Sequence, residues 1–500
     1  MEKIVYIALD ERPCNEKFPR EIFDNKDLKV VSPSLDIMPY KTKPGNFEAL
    51  KAFLLEETKD AYGLVISMDT LLYGGLVPGR IHNLEDEVIM ERLEFIKELK
   101  KINKDLVVYG FQVIMRCPVE NGADEEPVYY KTEGRNIYLN GYFKHKEMLG
   151  ILSDEERKQW NNLNITPEYL EDFENRRRIN LKYDVLSIEY TKEEIFDFLI
   201  LCQDDSDEYG YPALDQEVAA KAIKENNLRL KVLAYAGADE VGMILISRML
   251  NKIKGKQPTF YIKYPSPSTA TVVPCLEDRY LDITVKYQII AAGGIVVPSI
   301  EDADLVLVTL MGATKMFPTV MENQRDIDVL SNMIETFEFI KWAIKRKPVI
   351  VADLFFLNAG SVNVLDYIKE SNVLMDLAAY AGWNTSSNAL GTCIAQGIQF
   401  YYTGKTAQHN TFLIKRYIED IGYCGIVRKS VTGKLAEYGM NYFNVKETNG
   451  IAADLVRKEL YEFINTHLKD IAADFEMINV NIPWYRMFEV DFDIVLKKVR

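Results

Sequence analysis

An apolar run of strand length, 198–202, ends in Gln203-Asp204-Asp205, and two more acids, Asp207 and Glu208, follow before Gly210 and Pro212 turn the chain. Two carboxylates held together cannot both ionise cheaply, so one is pushed toward the protonated form and can deliver a proton near neutral pH. Glycoside hydrolysis asks for such a pair, one group protonating the leaving oxygen while the other stabilises the positive ring. At the frayed end of a strand, neighbouring side chains can both turn into one mouth. The plainer alternative is one Asp capping the next helix and the other solvated. Tyr209 and Tyr211 offer flat faces of the kind that suit sugar rings. This reading gives Asp204 and Asp205 catalysis and Tyr211 substrate contact.

Other strand-like runs end in similar chemistry. ALDERPCN offers Asp10 and Arg12, either a substrate clamp or a plain ion pair. DTLLYGGLVPGR offers Asp69, a Gly-Gly bend and Arg80, and the run 106–114 ends at Arg116. AYAGADEVG supplies Asp239 and Glu240, one of which could be only a helix cap. PVIVAD ends in Asp353, and GWNTSSNALGT presents Trp383 and Asn384, a sugar platform or ordinary core. Asp10, Arg12, Asp69, Arg116, Asp239, Glu240, Asp353, Trp383 and Asn384 are the expected substrate-binding set. An alternative use of Asp69, Asp204, Asp205, Asp239, Glu240 and Asp353 is to hold Mg²⁺ or Mn²⁺ in a hydrolase or lyase. The four histidines (82, 145, 409, 467) show no HExxH spacing, and neither GxSxG, a P-loop nor GxGxxG is present. The expectation is therefore no metal and no cofactor.

These side chains need elements to position them. Short apolar runs at 3–9, 28–31, 63–67, 106–114, 198–202, 230–236, 348–352 and 377–382 have the Val/Ile/Leu content of strands buried on both faces. Amphipathic helical patterns lie at 84–102, 190–198, 214–226, 240–254, 326–346 and 363–380. Eight βα alternations predict an elaborated (β/α)8, TIM-like barrel whose chemistry sits at the carboxyl ends of its strands. A doubly wound open sheet would gather ligands on the same face. The barrel is expected from 1–255 and 341–404, with helices and loops of 119–190 inserted after the fourth strand. A small α/β subdomain is expected at 256–340, on the runs 260–264, 293–297 and 303–310. Residues 405–500 read as mainly helical, with NIPWYRMFEVDF as a closing segment.

The 500 residues exceed one small core, and 48% hydrophobic with 27% charged residues is a globular composition. A net charge of −15 argues against nucleic acid as partner. No run of about 18 apolar residues predicts a membrane span, and the opening residues do not read as a secretory signal. Six cysteines scattered without CxxC spacing fit reduced thiols in the cytoplasm. A homo-oligomer is compatible with the sequence.

The set LDERPCN, DTLLYGGLVPGR, QDDSDEYGYPALDQE, GADEVG and GWNTSSNALGT resembles, over nearly the whole chain, a bacterial domain-of-unknown-function family. That resemblance implies no activity. The Asp-Asp strand end also resembles, chemically, the catalytic pair of substrate-assisted β-N-acetylhexosaminidases of the O-GlcNAcase type. That likeness implies that Asp204 orients a 2-acetamido group and Asp205 is the acid/base, although the pair here follows the fifth strand rather than the fourth. The expected function is thus a cytoplasmic glycoside hydrolase acting on a small amino-sugar glycoside; a non-catalytic sugar-binding protein is the other alternative.

Overall fold

The structure is a computed structural model, and it describes residues 1–320 and 327–497. The chain divides into two compact units: Met1–Ile246 with Leu276–Asp278, and Ser247–Cys275 with the residues from Arg279 onward.

The first unit is built on six parallel strands: β1 (Glu2–Ile7), β2 (Leu28–Val31), β3 (Gly63–Ser67), β4 (Val107–Ile114), β5 (Phe198–Gln203) and β6 (Val232–Ala236). Their order in the sheet is β2-β1-β3-β4-β5-β6. Every residue of β3, β4 and β5 is buried, as expected of strands covered by crossover helices on both faces. The chain leaves β1 toward β2 on one side and resumes at β3 on the other, so a topological switch point falls between β1 and β3. At such a point, the crevice outside the carboxyl ends is the usual ligand position. Between β4 and β5 come the helices Tyr130–Met148, Asp154–Asn161 and Pro167–Lys192. The second begins in a Ser153–Glu156 capping box and the third with Pro167 in its first turn, where its missing N–H costs nothing.

The second unit holds β7 (Thr259–Lys263), β8 (Ile295–Val296), β9 (Leu305–Leu310), β10 (Val349–Asp353) and β11 (Ala379–Ala381), all parallel, in the order β11-β10-β9-β7-β8. An antiparallel pair, β12 (Phe475–Asn481) and β13 (Asp491–Leu496), follows the C-terminal helices.

All eight expected runs form strands, but they do not close one barrel. Six build the first sheet, and the last two join strands of the segment 256–340 in the second, β10 pairing with β9 and β11 with β10. The reason is pairing: β9 lies between β10 and β7, so the segment expected as a separate insert completes the second sheet. Two helical expectations also change. Residues 190–198 are the tail of the long helix Pro167–Lys192 and a turn into β5, and the helix expected over 363–380 is Val362–Glu370, followed by β11. The helix expected from 326 is Met333–Ala343; residue 326 itself, like 498–500 of the C-terminal region, lies outside the described residues.

Helix Ser386–Thr403, capped by the Thr385 side chain, packs on β10 with Gly397 against Ile350. A β-carbon at 397 would stand 2.2 Å from Ile350 Cδ1, which is itself fully buried. Gly397→Ala is therefore expected to lower stability by about 1–3 kcal/mol, overpacking outweighing the helix-propensity gain of about 1 kcal/mol. Urea unfolding monitored by circular dichroism checks this; an unchanged or raised midpoint would contradict the packing described.

Candidate functional site

Five strand ends of the first sheet carry the charges. Just past β1, Asp10, Arg12 and Asn15 are buried, with Pro13 starting the next helix. Arg12 grips Asp10 through its Nε (2.9 Å) and Nη2 (2.7 Å) to Oδ2 and its own backbone N–H to Oδ1 (3.0 Å). The same guanidinium donates to Asp239 beyond β6, Nη2 to Oδ1 at 2.6 Å and Nη1 to Oδ2 at 3.3 Å. Asn15 Nδ2 donates to Oδ1 of both acids at 2.9 Å, and Tyr6 fixes Asn15 by donating to its carbonyl. One cation thus serves two carboxylates. Burial pushes Asp239 up to about 6, Arg12 opposing and Asp10 adding to the rise. Glu240 beside it is fully buried.

Past β3, Asp69 lies in the short helix Met68–Leu72, capped by the Ser67 hydroxyl. Its Oδ2 accepts from the Val113 N–H of β4 at 2.9 Å. Burial raises it to about 7 despite that hydrogen bond. Asp184, on the helix Pro167–Lys192, is buried nearby, pushed up by burial and by the Asp69 charge, and its Oδ1 has no hydrogen-bond partner among the described residues.

The largest cluster joins β4 and β5. Arg116, past β4, donates through Nε to Glu126 (2.7 Å), Nη2 to Glu125 (3.3 Å) and Nη1 to Asp205 Oδ2 (3.0 Å) and Asp204 Oδ2 (3.3 Å). Arg80 reaches the same group, Nη2 to Asp204 Oδ2 at 2.5 Å and Nη1 to Glu125 Oε2 at 2.9 Å. Arg177 holds Arg116 in turn by donating to its carbonyl at 3.1 Å. Asp205 sits at φ 47°, a left-handed backbone that costs energy in a non-glycine residue and re-aims the side chain after the strand. Its side chain keeps 27% exposure and that of Asp204 22%, against 3% for Arg80. Burial and the adjoining Asp204 raise Asp205 to about 7, with Arg116 and Arg80 pulling the other way.

Asp10, Arg12 and Asp239 are thus joined in one hydrogen-bonded group, and Arg116, Asp204 and Asp205 in another. Tyr211 stands apart from both. It is buried against Phe173 and Gly141, donating to Glu174 at 2.7 Å and accepting from Asn140. Asp353, Trp383 and Asn384 belong to the second unit. There Asp353 Oδ2 accepts from Ser361 N–H (2.6 Å) and Tyr380 Oη (2.8 Å), and burial lifts it to about 6. Trp383 donates to Thr392, and Asn384 adopts φ 53°. In the same unit, Asp420 accepts from Gly382 N–H and from the fully buried Arg416.

Sequence reasoning missed Asn15, Glu125, Glu126 and Asp184. The acid run Asp124-Glu125-Glu126 before Pro127 was a signal for two of them. Asp184, alone on a mixed helix face, gave none. Among the described residues no group of three or more His, Cys, Asp and Glu is arranged to hold a metal ion, and no helix is long and apolar enough to cross a membrane.

Parallel α/β sheets and arginine-bridged carboxylates at the strand ends of the first define an α/β protein with a polar, acid-rich candidate site. The chain belongs to the family described as "Protein of unknown function (DUF4127)", whose model matches residues 4–493. No curated protein matches it.

Two outcomes follow from the charge arrangement. Arg12→Met leaves Asp10 and Asp239 buried without their shared cation and is expected to cost about 3–5 kcal/mol. Adding Asp239→Asn should recover part of that loss, and a strictly additive pair in chemical denaturation would show the three groups uncoupled. Asp69, raised to about 7 in the folded state, binds its proton more tightly there than in the unfolded chain. Its contribution is present below about pH 4 and lost as pH rises through about 7. Asp69→Asn should therefore flatten the fall in stability over that window and leave the variant a few kcal/mol less sensitive to pH; identical pH–stability curves would refute the shift.

Proposed function

We propose that this protein is a glycoside hydrolase acting on a small amino-sugar glycoside, with Asp205 as general acid/base and Asp204 as its partner. The observation that carries the reading is the unequal setting of two adjoining carboxylates. Asp204 Oδ2 takes a guanidinium from both Arg80 and Arg116, whereas Asp205 takes one from Arg116 and sits at about 7. Neighbouring acids held in such unequal settings suit separate roles. Asp205 in its acid form protonates the glycosidic oxygen as the bond to the anomeric carbon breaks. Asp204, held in place by the arginines, accepts from the acetamido N–H and supports attack by the acetamide oxygen, or faces the oxocarbenium directly. Asp205 then removes a proton from the incoming water. Arg116 orients both acids, and Asp10, Arg12, Asp69, Asp239 and Glu240 supply the polar floor at neighbouring strand ends.

The position of the pair on the carboxyl edge of a parallel sheet supports the reading. All six cysteines are free thiols, which supports a reducing, cytoplasmic setting.

Asp205→Asn is expected to lower kcat on N-acetylglucosaminide and N-acetylgalactosaminide aryl glycosides by about a hundredfold to ten-thousandfold. Because the acid form is required, kcat/KM of the native protein should hold steady below about pH 7 and fall above it. Removing the Arg116 cation, which holds the Asp205 value down, should move that limb to higher pH. Native turnover of these substrates that survives Asp205→Asn unchanged would end the assignment.

A further inference from the structure

The second unit contains a cavity of about 470 Å³ that the proposed chemistry does not use. Its volume lies within the range of small-molecule sites, roughly 300–1,000 Å³. Val320, Leu357 and Phe488 give it apolar surface, and Arg428, Lys429, Thr432 and Tyr442 give it polar groups. None of its described lining residues is acidic. In a chain of net charge −15, two cations and no carboxylate among the described lining residues invert the sign on that lining.

Arg428 is the centre of this inversion. Its Nη1 donates to the Phe488 carbonyl at 3.1 Å, and its Nη2 to the carbonyls of Asn358 (2.8 Å) and Cys424 (3.4 Å). The guanidinium lies 5.6 Å from the Phe488 ring centroid. Among the described residues it forms no ion pair, unlike Arg12, Arg80, Arg116 and Arg416, each of which meets a carboxylate. Three of its five N–H groups are spent on carbonyls, which fix its plane without neutralising it. Arg428 itself lines the cavity.

A local backbone feature holds this arrangement. Residues Tyr417–Val427 form a π-helix, and the backbone N–H of Arg428 bonds five residues back to the Tyr423 carbonyl. In an α-helix it would bond to Cys424, so the wider turn frees the Cys424 carbonyl to receive the guanidinium of Arg428 itself. π-Helical turns are rare and recur at functional sites, and here the turn places a guanidinium on a cavity wall.

We infer that this cavity binds a small organic oxyanion, a carboxylate or phosphate monoester carrying an apolar or sugar body, with Arg428 as the anion-binding group. The Tyr442 and Thr432 hydroxyls stand on the same lining to take polar groups of the body, and Phe488, Leu357 and Val320 cover its apolar part. The site is independent of the carboxylate pair at 204 and 205.

Isothermal titration of the full chain with benzoate, glucose 6-phosphate and inorganic phosphate, each organic anion beside its neutral counterpart (benzamide, glucose), tests this. At least one organic anion should bind, and its neutral counterpart should bind at least about tenfold more weakly. Arg428→Gln should weaken the anion by about ten- to a hundredfold, as for loss of a charge-assisted hydrogen bond. Arg428 also ties three carbonyls, so Thr319→Trp, at the exposed rim, provides a variant that fills the cavity while sparing those bonds; it too should abolish binding. Failure of every anion to bind at millimolar concentration, equal affinity for neutral counterparts, or binding undiminished in Thr319→Trp would overturn the inference. The separate turnover assay on Asp205→Asn keeps this result distinct from the glycosidase reading.

Discussion

Acid excess is the constraint around which the first unit is organised. Four strand ends bring Asp10, Asp69, Asp204, Asp205, Asp239 and Glu240 to one edge of a parallel sheet, and the β4–β5 segment adds Glu125 and Glu126. Carboxylates taken out of water at this density need partners, because an unpaired buried charge costs several kcal/mol. Arg12, Arg80 and Arg116 supply them, each bridging acids from different strand ends or loops. The bridges therefore do structural work as well as electrostatic work: they tie β1 to β6 and β4 to β5 beyond the backbone ladder. Burial still outweighs these bridges, which is why Asp69, Asp205 and Asp239 all rise toward neutral pH rather than settling low.

The second unit meets the same problem with different means. Asp353 relies on a backbone N–H and the Tyr380 hydroxyl, and Asp420 on a backbone N–H and Arg416. Neutral donors leave Asp353 at about 6, and a full cation shared with Glu419 still leaves Asp420 at about 7, because burial is the largest cause in both. Desolvation thus outweighs the identity of the partner, while the partner decides orientation.

Much of this was legible in the sequence. Each of the eight apolar runs is a strand, and each polar cap sits at its carboxyl end, because a strand buried on both faces must be continuous in Val, Ile and Leu and must stop where charges begin. Closure was not legible. Strand count gives no register, and whether the sixth strand meets the second or stays an edge depends on pairings that composition does not encode. The runs around 260, 295 and 305 look like their neighbours, so nothing in them showed that they would share a sheet with β10. The hairpin of β12 and β13 was missed although FEMINVN alternates inward and outward, because that period is short and follows a long helical stretch. At the site, acids next to strand ends were found and acids on the inserted segment were not. Glu125 and Glu126 come within reach of Arg116 only through folding of a loop between β4 and the helix Tyr130–Met148. Tyr211 was placed with the acids by sequence adjacency. The turn at Gly210, φ 119°, sends it into the helical layer instead.

The backbone at 204–205 connects fold to chemistry. An extended strand would send the side chains of Asp204 and Asp205 to opposite faces, one toward the helices and one away. The left-handed conformation of Asp205 breaks that alternation at the last step, so both carboxylates meet Arg116 Nη1. Such a conformation is retained only when its surroundings over-determine it, and two guanidiniums provide that determination. Burial does most to raise the proton affinity of Asp205, and the geometry that brings it against Asp204 adds to the rise. The same arginines that hold the pair together keep that displacement near neutrality instead of far above it.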